Sequence, residues 1–260
     1  MSNSSDVFVY SALRNALAVA LKQSSSEQKD DLFIRQYDGR KYHGLRHLEF
    51  MLSLCPYGQY LPEIDIERIL FAILFHDYVY VPGDNDNERN SADAFEEFAS
   101  RHGIENRELV DCVKFAICNS MLCGKQMNLE YFSGLSQNEK VAVLLHDLDF
   151  AILGTRRYVY LRYAFGIREE YENKSDYDYL LRRKKFLLTQ LSKGSVFCLE
   201  FFTNSYGARA KDNILEELKM IEDELRATSY DLYIEDCCVE NVRGAMEKNG
   251  TTGNQDSVPA

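Results

Sequence analysis

The sequence predicts an all-α protein, and three observations support this prediction. Apolar residues recur at helical spacing in Ile66–Leu74, where they form one stripe, and later segments repeat the pattern. Glycine, proline and short polar runs separate these segments. The chain shows no convincing strand ladder, internal repeat or interdomain linker. We therefore expect one compact helical domain over residues 7–230 and, because Gly, Asn and Thr dominate there without periodicity, a disordered tail over residues 245–260.

The overall composition narrows the classes of function. The 260 residues include 41 Asp and Glu against 30 Lys and Arg, which gives a net charge of -11. Such an acidic surface disfavours nonspecific binding to nucleic acid and to anionic membranes, so we expect neither partner. No segment reaches the roughly 20 apolar residues that span a bilayer, and the N-terminus lacks the pattern of a secretory signal. Seven scattered cysteines without a C-x-x-C motif predict reduced thiols, and together these features predict a cytoplasmic protein.

Three helices are predicted in the first part of the chain. They cover Val7 to about Lys22, Tyr42 to Leu54, and Asp65 to Asp77. A Ser-rich polar connection follows the first helix, and Gly39 breaks the irregular stretch before the second. Pro62 and Asp65 favour the start of the third helix.

Six helices are predicted after these, preceded by a loop at Val81–Asn87. Ser136 and Glu139 form a capping-box pattern that marks the start of one helix, and Gly154 marks a break after it. The helices run from Asn90 or Ser91 to about Arg101, from Glu105 to Cys118, from Ser136 to Asp149, from Tyr158 to about Tyr171, from Asp176 to about Gly194, and from Ala208 to Leu225.

His76 and Asp77 continue the buried stripe of the third helix, where a polar pair is costly unless something compensates it. A divalent cation would do so, because imidazole nitrogen and carboxylate oxygen are both good ligands; a packed histidine with a capping aspartate is the alternative. His47 and Asp149 supply matching residues on both sides of the pair. Two histidines and two carboxylates suit Mn²⁺, Fe²⁺, Ni²⁺ or Zn²⁺ better than Ca²⁺, and they would leave about two positions of a six-coordinate ion open.

Five stretches of the chain, with the order His … His-Asp … Asp, resemble the HD superfamily of metal-dependent phosphohydrolases, and within it a small subgroup of predicted phosphohydrolases. The matching stretches extend over about residues 35–220. They are Tyr42–His47, Ala72–Tyr80, Asp86–Ala92, Asp147–Gly154 and Ile167–Tyr171. The resemblance implies a helical bundle of the HD type that hydrolyses a phosphoester, in which the metal ion lowers the pKa of a bound water and polarises a phosphoryl oxygen.

The resemblance also implies which side chains hold one divalent metal ion, which is Mn, Fe, Ni, Zn or Mg. The implied ligands are His47, His76, Asp77 and Asp149. Asp149 is chosen over Asp147 because the ligand in such helices usually precedes a run of the Leu-Ala-Ile-Leu type. His43 lies on the same helical face as His47, so three roles stay open for it: a support behind the ligands, a substrate contact, or the ligand itself.

Asp77 and Glu88 are the candidate catalytic residues. Asp77 would orient the attacking water, and Glu88 would act as a general acid or base, although a solvated glutamate is equally expected at the start of a helix. Four side chains are candidates for binding the phosphorylated substrate, and each arginine or lysine among them is equally expected in a structural ion pair. They are His43, Arg168, Arg183 and Lys211. His146 is expected to be packed or hydrogen-bonded, and His102 to end a helix, without a catalytic role.

One stretch departs from the subgroup, because Ile117–Cys123 lacks the histidine that related members often carry. With five histidines in all, the chain favours one metal ion over two. We expect hydrolysis of a small phosphomonoester, with a nucleotide as one candidate. One alternative is a protein of the same fold that only binds a nucleotide or a protein partner. The other is a two-iron oxygenase, but the scarcity of histidine argues against it. The sequence does not indicate an oligomeric state, and we assign its 17 tyrosines mainly to packing.

Overall fold

The computed structural model of the chain describes residues 33–54, 64–120 and 126–249. Within these ranges all regular structure is helical, and the β contacts are limited to an isolated bridge between Met127 and Leu199. The predicted all-α class is therefore confirmed. The helix predicted from Val7 to about Lys22 lies outside the described residues, and the predicted domain limits stay a prediction.

The α-helices follow one another with short connections. They are α1 (Leu45–Leu54), α2 (Ile66–Phe75), α3 (Asn87–Arg101), α4 (Arg107–Asn119), α5 (Leu129–Ser133), α6 (Gln137–Phe150), α7 (Arg157–Glu170), α8 (Asp176–Ser192), α9 (Glu200–Phe202) and α10 (Ala208–Asn249). A 3₁₀ turn at Ala151–Gly154 follows α6, and a π-helical turn at Thr203–Gly207 joins α9 to α10.

Helix α2 lies at the centre of the bundle because its sequence is apolar on almost every side. All residues from Ile69 to Phe75 are buried, and the helix packs against α1, α3, α4 and α6. Asp65 caps its first turn, since the carboxylate accepts a hydrogen bond from the backbone N–H of Glu67 (3.0 Å). His76, which directly follows the last residue of the helix, is therefore buried in the interior, and Asp77 beside it is half-buried.

Helix α3 begins at Asn87, before the predicted start at Asn90 or Ser91. The reason is that the buried Asn87 side chain closes the preceding loop. Its amide oxygen accepts from the N–H of Val81 (2.8 Å), and its amide nitrogen donates to the carbonyls of Val81 (2.9 Å) and Asp84 (3.2 Å). Gly83 adopts a φ of 83°, a left-handed conformation that favours glycine. The loop after the His-Asp pair is thus tied to the first turn of α3.

Helix α6 starts with the predicted capping box, in which Ser136 and Glu139 each satisfy a backbone N–H of the other. The helix is buried from Lys140 to Leu148, so it forms a second central element. In the 3₁₀ turn after it, a Cβ atom on Gly154 would lie 2.8 Å from the Cα of Tyr206. The turn after α6 therefore packs directly on the turn before α10, and a glycine makes that approach possible.

Helix α10 is longer than predicted. It continues past the expected end at Leu225 to Asn249, because the sequence offers neither proline nor glycine until Gly244. Residues 245–249 of the expected tail are therefore helical, and residues 250–260 lie outside the described residues. The first half of the helix packs against α8 and the 3₁₀ turn.

The prediction that the cysteines are reduced thiols needs one correction. Cys198 takes part in a disulfide bond, whereas Cys112 and Cys118 are free. The prediction of reduced thiols is therefore wrong for Cys198, because a disulfide needs two cysteines close in space and their spacing along the chain does not reveal that. In the described residues, no helix combines the length and the apolar character that crossing a bilayer requires. The cytoplasmic location stays a prediction.

Candidate metal centre

The four predicted ligands meet at the end of α2. His47 Nε2 lies 3.1 Å from His76 Nε2, 3.1 Å from Asp149 Oδ1 and 3.8 Å from Asp77 Oδ2. Asp77 Oδ2 in turn lies 2.9 Å from His76 Nε2. Both imidazoles are buried, whereas the carboxylates are partly exposed. His47, His76 and Asp149 thus form a group whose ligand atoms lie close enough together to hold one metal ion, and Asp77 lies beside this group.

Three different helices place these side chains. His47 lies in the first turn of α1, His76 and Asp77 follow the last turn of α2, and Asp149 lies in the last turn of α6. The ring of His76 is oriented because its Nδ1–H donates to the carbonyl of Ile73 (2.9 Å). In that neutral tautomer Nε2 carries the lone pair that a metal ion requires.

Three separations in the cluster fit a divalent cation. Ligands at right angles around an ion, each about 2.1 Å from it, are about 3.0 Å apart. The shortest separations in the cluster, from 2.9 to 3.1 Å, match that value. His47 Nδ1 is also buried and has no hydrogen-bond partner among the described residues, so Nε2 is the nitrogen through which this ring makes its polar contacts.

The charges of the cluster favour a cation as well. Burial lowers the pKa of His76, but Asp77 and Asp149 outweigh burial and raise it to about 9. Burial raises the pKa of Asp77, but His76 and His43 outweigh burial and hold it well below its usual range. The carboxylates therefore stabilise positive charge beside His76, and a divalent cation would supply that charge in place of a proton.

Asp147 turns away from this cluster. Its carboxylate accepts hydrogen bonds from the backbone N–H groups of Cys198 (2.8 Å) and Leu199 (2.7 Å). His146 is buried, and its Nε2 lies 3.0 Å from a backbone carbonyl oxygen, in line with its expected packed role. His146, Asp147 and Cys198 form a second group of ligand-type atoms, but the disulfide occupies the sulfur and the backbone N–H groups occupy the carboxylate.

His43 lies outside the cluster, where Glu170 holds it. His43 Nδ1 is 2.6 Å from Glu170 Oε2, while Oε1 accepts hydrogen bonds from the backbone N–H groups of Tyr42 (2.8 Å) and His43 (2.9 Å). Arg40 donates to the carbonyls of His43 (3.2 Å) and Asp77, and so ties the two ligand-bearing segments together. Of the three roles left open for His43, this geometry favours a support or a substrate contact over a metal ligand.

A cavity of about 490 Å³ opens beside the cluster, which is a size typical of small-molecule sites. Asp77 and Asp149 border it, together with His43 and Glu88, and Glu88 there remains a candidate acid or base. Much of the other lining is aromatic. It includes Tyr42, Tyr80, Tyr163, Tyr171, Tyr179 and Phe186. The assignment of the tyrosines to packing therefore missed that several of them face the cavity.

The predicted substrate-binding cations differ in position. Arg183 borders the cavity, but it is buried and its Nε donates to Glu217 Oε1 (2.8 Å). Arg168 pairs with Asp176 and is not part of the cavity lining, and Lys211 is exposed on α10, also outside the lining. Arg168 and Arg183 are thus members of structural ion pairs, which was the alternative to substrate binding. The structure does not place Lys211 at this site.

The polar side chains near the site that were not predicted include Arg40, Glu170 and Arg182. Arg40 bonds to backbone carbonyls, and Glu170 bonds to backbone N–H groups and to the His43 side chain; contacts of this kind between distant segments leave no periodic signal in a sequence. A signal for Arg182 did exist, because it shares one face of α8 with three other residues of the lining. These are Tyr179, Arg183 and Phe186.

Comparison of the chain with protein-family models, with curated proteins and with solved structures gave no match. The resemblance to the HD superfamily therefore rests on the sequence stretches named above and stays an expectation.

Proposed function

We propose that this protein is a metal-dependent phosphohydrolase of the HD type that acts on a small phosphomonoester. The observation that carries the proposal is the convergence of two imidazoles and two carboxylates beside a cavity. Four protein ligands on a six-coordinate ion leave about two positions for water and substrate, as metal-assisted hydrolysis requires. The resemblance to the HD superfamily supports the same function.

The residues around the cavity would share the chemistry as follows. When bound, the metal ion supplies a more acidic water and a positive charge beside the phosphoryl group. Asp77 would accept a hydrogen bond from the attacking water and orient it, and Glu88 would transfer the proton as general acid or base. His43, held by Glu170 through Nδ1, keeps Nε2 for a contact with a phosphoryl oxygen.

We further propose one ion per chain. The donor set of two nitrogens and two carboxylates accepts Mn²⁺, Fe²⁺, Ni²⁺, Zn²⁺ or Mg²⁺, and the nitrogens favour the transition metals over Mg²⁺. A two-iron oxygenase would need further ligands, and the other ligand-type group in the described part of the chain includes Cys198, whose sulfur is in a disulfide.

Elemental analysis of the purified chain, followed by a phosphatase panel with Mn²⁺, Ni²⁺ or Mg²⁺, tests the proposal. We expect about one equivalent of metal per chain and turnover of at least one phosphomonoester. His76→Ala and Asp77→Ala remove ligands, so each should lower turnover by at least about 100-fold. His102→Ala is the control, because His102 contacts the carbonyl of Phe98 (2.8 Å) and does not line the cavity.

Two outcomes would contradict the proposal. Stoichiometric metal without turnover of any ester in the panel would reject the enzyme, and unchanged turnover in His76→Ala would reject this site.

A catalytically weak or inactive protein that binds a nucleotide or a protein partner is the second candidate. It is favoured by the contacts of His43 with Glu170 and of Arg183 with Glu217, which leave these side chains less able to stabilise charge on a reacting phosphoryl group. Tight nucleotide binding in equilibrium dialysis without turnover would support it. Neither nucleic acid nor a membrane is proposed as a partner, because the net charge is -11.

A further inference from the structure

The side chains beside the cavity that can donate a hydrogen bond to an anion differ in their partners. His43 pairs with Glu170, and Arg183 pairs with Glu217. Arg182 is exposed, borders the same cavity, and forms no hydrogen bond or ion pair within the described part of the chain. A guanidinium with all its donors available beside a cavity is suited to bind a carboxylate or a phosphate.

Arg182 is also not one of the proposed metal ligands. It belongs to α8, which carries none of the four proposed ligands, and it is exposed whereas His47 and His76 are buried. The phosphoryl group that reacts would bind at the cluster, because a metal ion held by these ligands would supply positive charge there. Arg182 is therefore available for a different negative group, nearer to solvent.

The rest of the lining restricts where that group can lie. Asp84 and Glu88 border the cavity from the loop after α2 and the start of α3, and they would repel a second negative group. Tyr171, Tyr179 and Phe186 also line the cavity and offer apolar ring surfaces there. Such surfaces favour a flat, ring-containing body.

We propose that Arg182 binds a second anionic group of the substrate. The substrate is then a phosphomonoester with a flat body that carries a further carboxylate or phosphate. This inference rests on the proposed function for the position of the reacting phosphate, and it adds the class of substrate. Arg182 contacts the substrate away from the reacting atoms, so it determines specificity and is not a catalytic residue.

Binding of phosphonate probes to the full chain loaded with Mn²⁺ tests the inference by isothermal titration calorimetry. The probes are 4-carboxybenzylphosphonate, its neutral counterpart 4-carbamoylbenzylphosphonate, and the same pair with a longer biphenyl body. A phosphomonoesterase does not cleave the C–P bond, so affinity is measured independently of turnover. Bodies of two lengths are used so that the carboxylate of one probe can reach Arg182 while its phosphonate binds the metal ion.

We expect the charged member of at least one pair to bind about tenfold more tightly than the neutral member, because an arginine–carboxylate bond is charge-assisted. Arg182→Ala should remove that preference. The matched control is Lys185→Ala, since Lys185 is an exposed cation of α8 that does not line the cavity, and this variant should keep the preference.

The inference is overturned if Arg182→Ala keeps the preference, if Lys185→Ala loses it equally, or if the unaltered chain shows none at either length. Failure of the proposed function looks different. In that case the preference depends on Arg182 while no phosphomonoester in the panel is hydrolysed.

Discussion

Arg183 and Glu217 show how a buried charge is held beside the cavity. Their side chains are only 5% and 10% exposed. Two guanidinium nitrogens donate to the Glu217 carboxylate (2.8 and 3.1 Å), and the third donates to the hydroxyl of Tyr163 (2.9 Å). Tyr160 donates to the same carboxylate. All three guanidinium nitrogens are therefore satisfied, which is the condition under which a buried ion pair is tolerated.

Glu217→Gln tests this network. The substitution leaves Arg183 buried without its counter-charge, so we expect the free energy of unfolding to fall by about 3 kcal/mol or more. Urea denaturation measures the change. Glu222→Gln is the control, because it removes the exposed partner of Lys184 on the same pair of helices and should have little effect. Equal losses in the two variants would contradict the special role of the buried pair.

Glu170 predicts a dependence of stability on pH. Burial raises its pKa, but His43 and the backbone N–H groups of Tyr42 and His43 outweigh burial and lower it from 4.5. A carboxyl group with a lowered pKa in the folded state stabilises the fold above its unfolded pKa, and this contribution is lost as the pH falls toward the folded pKa. The advantage of the unaltered chain over Glu170→Gln should therefore be full near pH 7 and decrease below about pH 4.5.

Chemical denaturation of both proteins between about pH 7 and pH 3 measures this difference, and the comparison cancels the other titrating carboxylates. A difference that stays constant over the whole range would show that the Glu170 contacts do not depend on its charge.

Single residues also show what sequence reasoning can and cannot predict. His76 and Asp77 were recognisable because a polar pair at the end of an apolar stripe is chemically conspicuous. The role of Arg183 was left open, because a basic side chain that binds a substrate and one that binds a buried carboxylate are identical in sequence. The partner, Glu217, lies 34 residues away. Only the fold brings the two together.

The short helices α5 and α9 were not predicted, and among the longer helices the ends were harder to predict than the existence of the elements. α6 starts where its capping box indicates, because both members of that signal are local. α3 starts earlier than expected, because the side chain of Asn87 reaches back to Val81. The end of a helix is thus predictable when its hydrogen bonds are local and not when a loop folds back on it.

Gly154 gives a prediction for the contact between the turn after α6 and the turn before α10. In Gly154→Ala the new methyl group would lie 2.8 Å from Tyr206 Cα, so backbone must move. We expect a loss of about 2 kcal/mol in the free energy of unfolding, measured by urea denaturation. Gly207→Ala is the control, since its Cβ would make an ordinary 3.5 Å contact with Thr203. A smaller loss in Gly154→Ala than in Gly207→Ala would contradict the close approach.

Over the whole molecule, the all-α class was predictable because each apolar stripe is a local pattern. The site was not predictable in the same way, since its ligands come from α1, α2 and α6, and only the resemblance to the HD superfamily linked them in order. The cavity was the feature that the sequence predicted least well. Its aromatic walls come from several helices and the loop after α2, and a tyrosine that faces a cavity has the same periodicity as one in a core.

Metal binding should stabilise the whole fold, because the cluster joins three helices that are apart in sequence. A ligand at 100 times its dissociation constant stabilises the folded state by about 2.7 kcal/mol, which corresponds to a rise in Tm of roughly 5–10 °C for a chain of this size. We expect Mn²⁺ to produce such a rise in a thermal unfolding experiment and EDTA to reverse it. His47→Ala should abolish the rise, and His102→Ala should preserve it. An equal rise in His47→Ala would mean that Mn²⁺ binds elsewhere.

The last turn of α6 holds Asp147 and Asp149 two residues apart, so their side chains project about 200° from each other around the helix axis. One carboxylate anchors the backbone at residues 198–199, and the other faces the cluster at His47. Inserting or deleting one residue there would rotate everything beyond it by about 100°. Other residues of this turn can therefore be substituted during evolution. An insertion or deletion between the two aspartates would instead break either the hydrogen bonds of Asp147 or the contact of Asp149 with His47. Any descendant of this chain that retains both attachments is thus expected to retain the interval between them.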